Sequence, residues 1–247
     1  MNFLTSLLFV IWLYGSMVVL GILWLPSLLM PRSAVMLGIR TWARAARWGM
    51  KVFCGASTEI RGRENLPDGP ALIAPKHQST MDVLMAFLFL DDPCFVLKKE
   101  LMYYPIFGMY AAKAGMIAID RQGSTKTLKD MAAKGKKALA DGRSLLIFPE
   151  GTRLAPGAEP DYKPGIALLY KELGVPCVPI ALNTGYCWPA KGIARHPGEM
   201  VIEILPPIEP GLQRKAFMKT LTEQLESGTS KLLEEGQRAQ AAIGVSA

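Results

Sequence analysis

The sequence predicts an α/β fold, a largely parallel central sheet flanked by helices, with an N-terminal membrane-associated helical segment ahead of it. Three observations carry this reading. After Gly55, short β-rich runs alternate with longer helical ones, the pattern of parallel strands joined by crossover helices. Residues 1–31 contain no charged side chain and are apolar almost throughout. Half of the 247 residues are hydrophobic, yet the net charge is +7, which suggests a basic surface facing something acidic. The chain therefore divides into residues 1–55, a membrane helix plus a basic amphipathic interfacial helix, and residues 56–247, an α/β domain long enough for one substantial core.

The first segment, "FLTSLLFVIWLYGSMVVLGILWLPSLLM", exceeds the ~20 residues that cross a bilayer's hydrocarbon core. No Lys or Arg precedes it and no small-residue cleavage site ends it, so it reads as a retained membrane segment and not a secretory signal. Length alone allows a spanning helix and a helix lying in one leaflet. In "RSAVMLGIRTWARAARWGMKVF", Arg40, Arg44, Arg47 and Lys51 share one helical face, and Val35, Ile39, Trp42, Ala46, Met50 and Phe53 share the other. This predicts a helix in the membrane interface with its basic face toward anionic headgroups. The competing reading is an amphipathic core helix with a solvated face. No acid occurs before Glu59, so the positive charge is not a chance excess, and by the positive-inside rule these Arg and Lys residues predict that everything after residue 31 is cytoplasmic. The lipid-like N-terminus favours membrane lipids over nucleic acid as partners.

The remaining elements follow in order. "ALIAP" precedes the helical "TMDVLMAFLFL", "CFVL" precedes "PIFGMYAAKA", and "GMIAI" precedes "TLKDMAAKGKKALA". "SLLIF" leads to "GIALLYKEL", then come "CVPIAL", "MVIEIL" and a polar helix from about Arg214 to Gln237. The loop from Leu154 to Pro164 is rich in Pro and Gly, and a long loop at a strand end is more often functional than idle. Cys54, Cys94, Cys177 and Cys187 form no C-x-x-C pair and no zinc-like spacing with His77 and His196. Reduced thiols and no metal site are expected. Nucleotide binding has no support either, because neither a P-loop nor G-x-G-x-x-G is present.

Candidate functional residues fall after strands. His77 follows "ALIAP", Arg121 follows "MIAID", and "PEGTR" follows "SLLIF". In open parallel sheets ligands bind beyond the carboxyl ends of the strands, so the three groups should converge on one edge. "STMD" also fits a capping box, with Ser79 as the N-cap and Asp82 three residues on. First-turn side chains lean back toward the helix start, so Asp82 can cap and still reach His77. A carboxylate on one ring nitrogen fixes the tautomer and frees the other nitrogen as a base. No G-x-S-x-G elbow and no neighbouring cysteine supplies a protein nucleophile, so the simplest chemistry is deprotonation of a substrate hydroxyl. Glu150, Gly151 and Arg153 offer a carboxylate, close backbone approach and a guanidinium suited to phosphate.

Together and in this order, these blocks resemble the glycerolipid acyltransferase family, specifically bacterial members that acylate 1-acyl-sn-glycerol 3-phosphate. "HQSTMD" resembles the H-x4-D block, which implies His77 as general base and Asp82 as its partner. "GMIAIDR" resembles the block whose arginine, here Arg121, is tied to the acceptor phosphate. "FPEGTR" resembles the block in which Glu150, Gly151, Thr152 and Arg153 shape the acceptor site. "VPCVPIAL" resembles a fourth block linked to the acyl donor, and "KKEL" and "YKPG" resemble further family stretches. Lys163 of "YKPG" is thereby a substrate-binding candidate.

The resemblance covers residues 73–182 and has two departures. Lys76 stands where asparagine is common, and "YKPG" has an unusual proline. It implies transfer of a fatty acyl chain from acyl-CoA or acyl carrier protein to lysophosphatidic acid, making phosphatidic acid for phospholipid biosynthesis. The inner membrane, with the catalytic domain on its cytoplasmic side, is the expected location, and neither metal nor bound cofactor is implied. Acylation of another lyso-lipid such as lyso-ornithine lipid, a non-catalytic lipid-binding adaptor and thioester hydrolysis are the alternatives.

Overall fold

The computed structural model describes residues 3–120 and 125–242. Among the described residues, seven strands form one sheet in the order β1-β7-β6-β2-β5-β3-β4. These are β1 (Ala56–Arg61), β2 (Leu72–Pro75), β3 (Cys94–Lys98), β4 (Ile117–Ile119), β5 (Leu145–Leu146), β6 (Cys177–Leu182) and β7 (Gly198–Ile204). The run from β6 through β2, β5 and β3 to β4 is parallel throughout, with Leu72 opposite both Leu145 and Cys177. β7 runs antiparallel to β6, and β1 pairs parallel to β7. The sheet is thus largely parallel, with two reversed strands on one side.

Seven helices cover it among the described residues: α1 (Phe3–Leu23), α2 (Arg32–Cys54), α3 (Met81–Phe89), α4 (Pro105–Lys113), α5 (Thr125–Ala140), α6 (Gly165–Leu173) and α7 (Arg214–Ala242). The period of two along the strands decides which helix meets which face. Ile73, Leu146, Val178 and Ile180 point to one side, into an apolar cluster with α1, α2, α3 and α4. Leu72, Ala74, Leu145 and Cys177 point to the other, into a cluster with α5, α6 and α7. On α7 the buried stripe is Phe217, Leu221, Leu225 and Leu232, spaced by four, four and seven. Truncating one such leucine to alanine costs about 2–5 kcal/mol.

The first apolar cluster crosses the boundary at residues 55/56. It holds Phe9 and Leu13 of α1 and Val35, Met36, Ala43, Ala46 and Met50 of α2 together with Met81 and Met85 of α3. α1 and α2 form a hairpin tied by the Trp12 indole N–H donating to Ala45 O (2.8 Å) and that of Trp42 donating to Leu13 O (3.2 Å). Its close approach requires Gly49, where a Cβ would lie 2.2 Å from Trp12.

α1 touches the body of the protein near both of its ends. Ser6 Oγ accepts the Arg195 backbone N–H at 3.0 Å, and the Phe9 ring meets Trp188 edge-on at 5.1 Å. Toward its other end, fifteen residues after Ser6, the Tyr110 hydroxyl of α4 donates to Gly21 O at 2.8 Å. The outer face of α1, including Leu4, Leu8, Ile11, Val18 and Ile22, is exposed. It is the one helix among the described residues that is long and apolar enough to cross a membrane.

The apolar face of α2 departs from the sequence expectation. Val35, Ala46 and Met50 are buried in the protein core and do not face outward. Arg40 also leaves the predicted basic face. Its guanidinium donates to the carbonyls of Phe87, Leu90 and Asp91, satisfying the end of α3. Arg44, Arg47 and Lys51 remain exposed and form no ion pair among the described residues. The cause is tertiary: the sheet face and α3 need an apolar cover, and α2 supplies it.

Candidate active site

The site is built where β2, β5 and β6 end, on adjacent strands that all point their carboxyl ends the same way. β2 delivers Lys76 and His77, and α3 starts four residues later. Asp82, in the first turn of α3, is buried and leans back over the turn as side chains there do. Its Oδ2 accepts the His77 Nδ1–H at 3.0 Å, the Gln78 N–H at 2.7 Å and the Ser79 N–H at 2.8 Å. Its Oδ1 accepts the Ser79 hydroxyl at 2.8 Å and the Thr184 hydroxyl. With a carboxylate on Nδ1, the neutral imidazole carries its proton there and leaves Nε2 as the free lone pair. The ring is further held by Phe148, stacked at 3.9 Å.

The helix N-cap is Thr80, one residue later than expected and without a side-chain cap bond, while Ser79 just ahead of it donates its N–H to Asp82 and accepts the Met81 N–H through Oγ at 3.1 Å. The carboxylate that orients His77 also accepts the N–H groups of the turn ahead of α3.

"FPEGTR" forms the turn after β5 and closes over the same point. Gly151 occupies the left-handed region (φ 67°), which a Cβ would strain, and its N–H donates to Phe148 O at 3.0 Å. Leu154 N–H donates to His77 O at 2.9 Å, so this turn and the histidine peptide are joined directly. Glu150, expected to shape the acceptor site, turns inward. It is 1 % exposed, accepts the His77 N–H through Oε2 at 2.8 Å, and pairs with Lys76 Nζ through Oε1 at 2.7 Å. Burial pushes its carboxyl above the ordinary range, and Lys76 partly offsets that rise.

Arg153 and Thr152 are exposed at the mouth, and Arg153 Nη1 donates to Thr80 Oγ1 at 3.1 Å. Lys163 is exposed, pairs with Asp161 and lies beside Gly151, while its backbone N–H donates to Pro149 O at 2.8 Å. Arg121 lies outside the described residues. β4, which precedes it, is three strands from β2, about 14 Å at the usual strand spacing. His77, Asp82, Glu150, Gly151, Thr152, Arg153 and Lys163 are thus brought together at one sheet edge.

Thr184, Gln78 and Phe148 were not expected at the site, and Lys76 was noticed only as a departure from the family pattern. Thr184 and Gly185 follow β6, the neighbour of β2, and Gly185 N–H donates to Gln78 Oε1 at 3.0 Å. Extending the strand-end rule to "CVPIAL" would have pointed to "NTG".

An imidazole with one nitrogen tied to a buried carboxylate is equipped to deprotonate a bound hydroxyl. Exposed cations at the mouth suit an anionic acceptor. The chain belongs to the Acyltransferase family, whose model matches residues 57–183.

Among similar proteins is the 1-acyl-sn-glycerol-3-phosphate acyltransferase of Pseudomonas aeruginosa, 36% identical over 197 residues, covering 80% of this chain and 77% of that one. Another is the 1-acyl-sn-glycerol-3-phosphate acyltransferase alpha of Mus musculus, 30% identical over 162 residues, 64% of this chain and 57% of that one. The crystal structure of the 1-acyl-sn-glycerophosphate (LPA) acyltransferase PlsC from Thermotoga maritima shares the fold. Its TM-score is 0.75 at 23% identity, covering 94% of this chain and 99% of that one.

Proposed function

We propose that this acyltransferase moves a fatty acyl chain from acyl-CoA or acyl carrier protein to the sn-2 hydroxyl of 1-acyl-sn-glycerol 3-phosphate, yielding phosphatidic acid. The observation that carries the reading is the His77 imidazole held through Nδ1 by Asp82, in a chain whose curated relatives bear that activity in their names. Nε2 takes the proton of the acceptor hydroxyl as its oxygen attacks the thioester carbonyl. The tetrahedral intermediate collapses with cleavage of the C–S bond, and the imidazolium returns the proton to the leaving thiolate. A positioned base of this kind contributes about 10²–10⁴ in rate. Arg153 and Lys163, with Arg121, hold the acceptor phosphate so that the hydroxyl meets His77. No metal or bound cofactor enters this scheme.

The membrane reading is finer than a simple span. A helix crossing a bilayer leaves its ends on opposite sides, whereas α1 meets the same body at Ser6, Phe9 and Gly21. We infer that α1 lies in one leaflet, with its exposed apolar face buried about 5–10 Å into the headgroup and acyl boundary. Exposed Tyr103 and Tyr104, just ahead of α4, and the exposed Arg44, Arg47 and Lys51 suit the interface. The cytoplasmic face of the inner membrane is the proposed location, where both lipids are reached without leaving the bilayer.

The test is acyl transfer by the full chain in anionic vesicles, with acyl-CoA and acyl carrier protein each offered against lysophosphatidate, lyso-ornithine lipid and no acceptor. Phosphatidate formation is expected. Product from lyso-ornithine lipid alone, or free fatty acid without acceptor, contradicts the proposal.

A further inference from the structure

Behind His77 lies a chain of charged groups that the reaction itself does not use, buried at Lys76 and Glu150 and partly exposed at Glu226. Lys76 is 4 % exposed, and its ammonium contacts Glu150 Oε1 at 2.7 Å and Glu226 Oε1 at 2.8 Å. The same Glu226 oxygen accepts the Tyr162 hydroxyl, and Lys76 sits 5.2 Å from the centre of the Tyr162 ring. Glu226 projects from α7, 150 residues from Lys76 along the chain. Tyr162 belongs to the "YKPG" stretch, and Glu150 to the turn after β5. Four separate elements thus meet on one lysine.

The chain has a direction. Glu226 fixes the Lys76 ammonium, the ammonium fixes Glu150 Oε1, and the other oxygen of Glu150 receives the His77 N–H at 2.8 Å. Tyr162 is kept protonated, since burial and the Glu226 charge both raise its phenol, so it remains a donor to Glu226. The Lys76 ammonium and the Glu150 carboxylate, both buried, are costly unless paired, and removing Lys76 strands Glu150. Without Lys76, Glu150 and Glu226 would face each other across the space it leaves.

We propose that Lys76 and Glu226 are positioning residues for His77, acting through Glu150, so that α7 sets the placement of the base. This rests on the proposed role of His77 in acyl transfer. It also gives a reason for lysine at position 76: the C-terminal helix offers a carboxylate that only a cation can bind to Glu150.

The experiment compares Lys76→Met, Glu226→Gln and the double variant with the wild-type full chain in vesicles. It reads kcat and KM for lysophosphatidate together with the imidazole spectrum of ¹⁵N-histidine-labelled protein. The sequence holds two histidines, so His77 is read against His196 as an internal reference. Lys76→Met should lower kcat by about 10- to 100-fold, the scale of a small misplacement of a reacting group. KM should move by less than about twofold, since no substrate contact is lost. The His77 signals should shift while those of His196 stay. Glu226→Gln should be harmful alone and beneficial beside Lys76→Met, because there it removes the like charge that faces the buried Glu150. That reversal of sign is not expected of two independent structural losses.

Wild-type kcat and an unmoved His77 signal in Lys76→Met would overturn the proposal. A rise in KM at constant kcat would do the same by putting Lys76 on the substrate, as would a double variant equal to the product of the single losses. Should Lys76→Met fail to fold, an unmoved His77 signal in Glu226→Gln is the overturning result. A wild-type protein that transfers no acyl chain to lysophosphatidate refutes the functional reading instead, and the His77 spectrum then decides the positioning role by itself.

Discussion

Asp82 holds His77 by Nδ1 at 3.0 Å while the same carboxylate accepts two backbone N–H groups and two hydroxyls. The tie is one spoke of a saturated hub. A carboxylate so fixed cannot rotate away, and it holds the imidazole in one tautomer with Nε2 free. Asp82→Asn keeps the shape but loses the charge and presents the wrong hydrogen-bonding pattern. Acyl-transfer kcat should fall by between about 10² and 10⁴, measured beside the melting temperature to separate chemistry from folding.

Thr184 supplies one of the two hydroxyls on Asp82 and is fully buried. Thr184→Val should leave Asp82 one donor short and lower kcat, with stability reduced by about 1–3 kcal/mol. Denaturant unfolding and initial rates check the two halves separately. A variant equal to wild type in both would remove Thr184 from the site.

Glu150 gives a pH signature. Burial holds its carboxyl above the ordinary range, so in the window between the ordinary and raised values the folded protein binds more protons than the unfolded chain. Stability attributable to this group therefore falls as pH rises through that window. Glu150→Gln should flatten that part of the stability-versus-pH curve. It should also lower kcat, because the His77 N–H loses a charged acceptor. Chemical denaturation across pH, wild type against variant, reads the slope.

The four cysteines are free and buried, and burial pushes Cys187 up to about 12. The thiolate is the reactive form, so iodoacetamide at neutral pH should leave native protein unlabelled and modify all four thiols in denaturant. Mass spectrometry counts the adducts. Rapid labelling of the native chain would contradict the packing described for these residues.

On α1, Ile11 is exposed at mid-helix and contributes to the apolar outer face. Ile11→Lys should move protein from vesicles to the soluble fraction in a flotation assay, leaving the unfolding transition close to wild type. Undiminished flotation would locate the membrane contact elsewhere.

Much of this was legible in the chain itself. His77 and Asp82 are local in sequence, and their geometry follows from a strand end, a tight turn and a first-turn acid. The parallel core strands were legible as apolar runs. β1 was not: "ASTEIR" is polar, half-buried and paired only with β7. The reversal of β7 was not legible either, since strand direction depends on partners distant in sequence. The basic face of α2 lost Arg40 to carbonyls at the end of α3, a demand that helical periodicity does not show. Glu150 was expected to shape the acceptor site because "FPEGTR" resembles a family block, and its inward turn is not visible in that string. Its partners Lys76 and the His77 peptide are 74 and 73 positions away, and a single sequence does not register them.

The most direct measurement is phosphatidate formation from acyl thioester and lysophosphatidate by wild type and His77→Ala, reconstituted in the same vesicles at equal folded concentration. Wild type should form product, and the variant should run at a rate near background. Comparable product from both would contradict the base role of His77 and assign the proton to some other group.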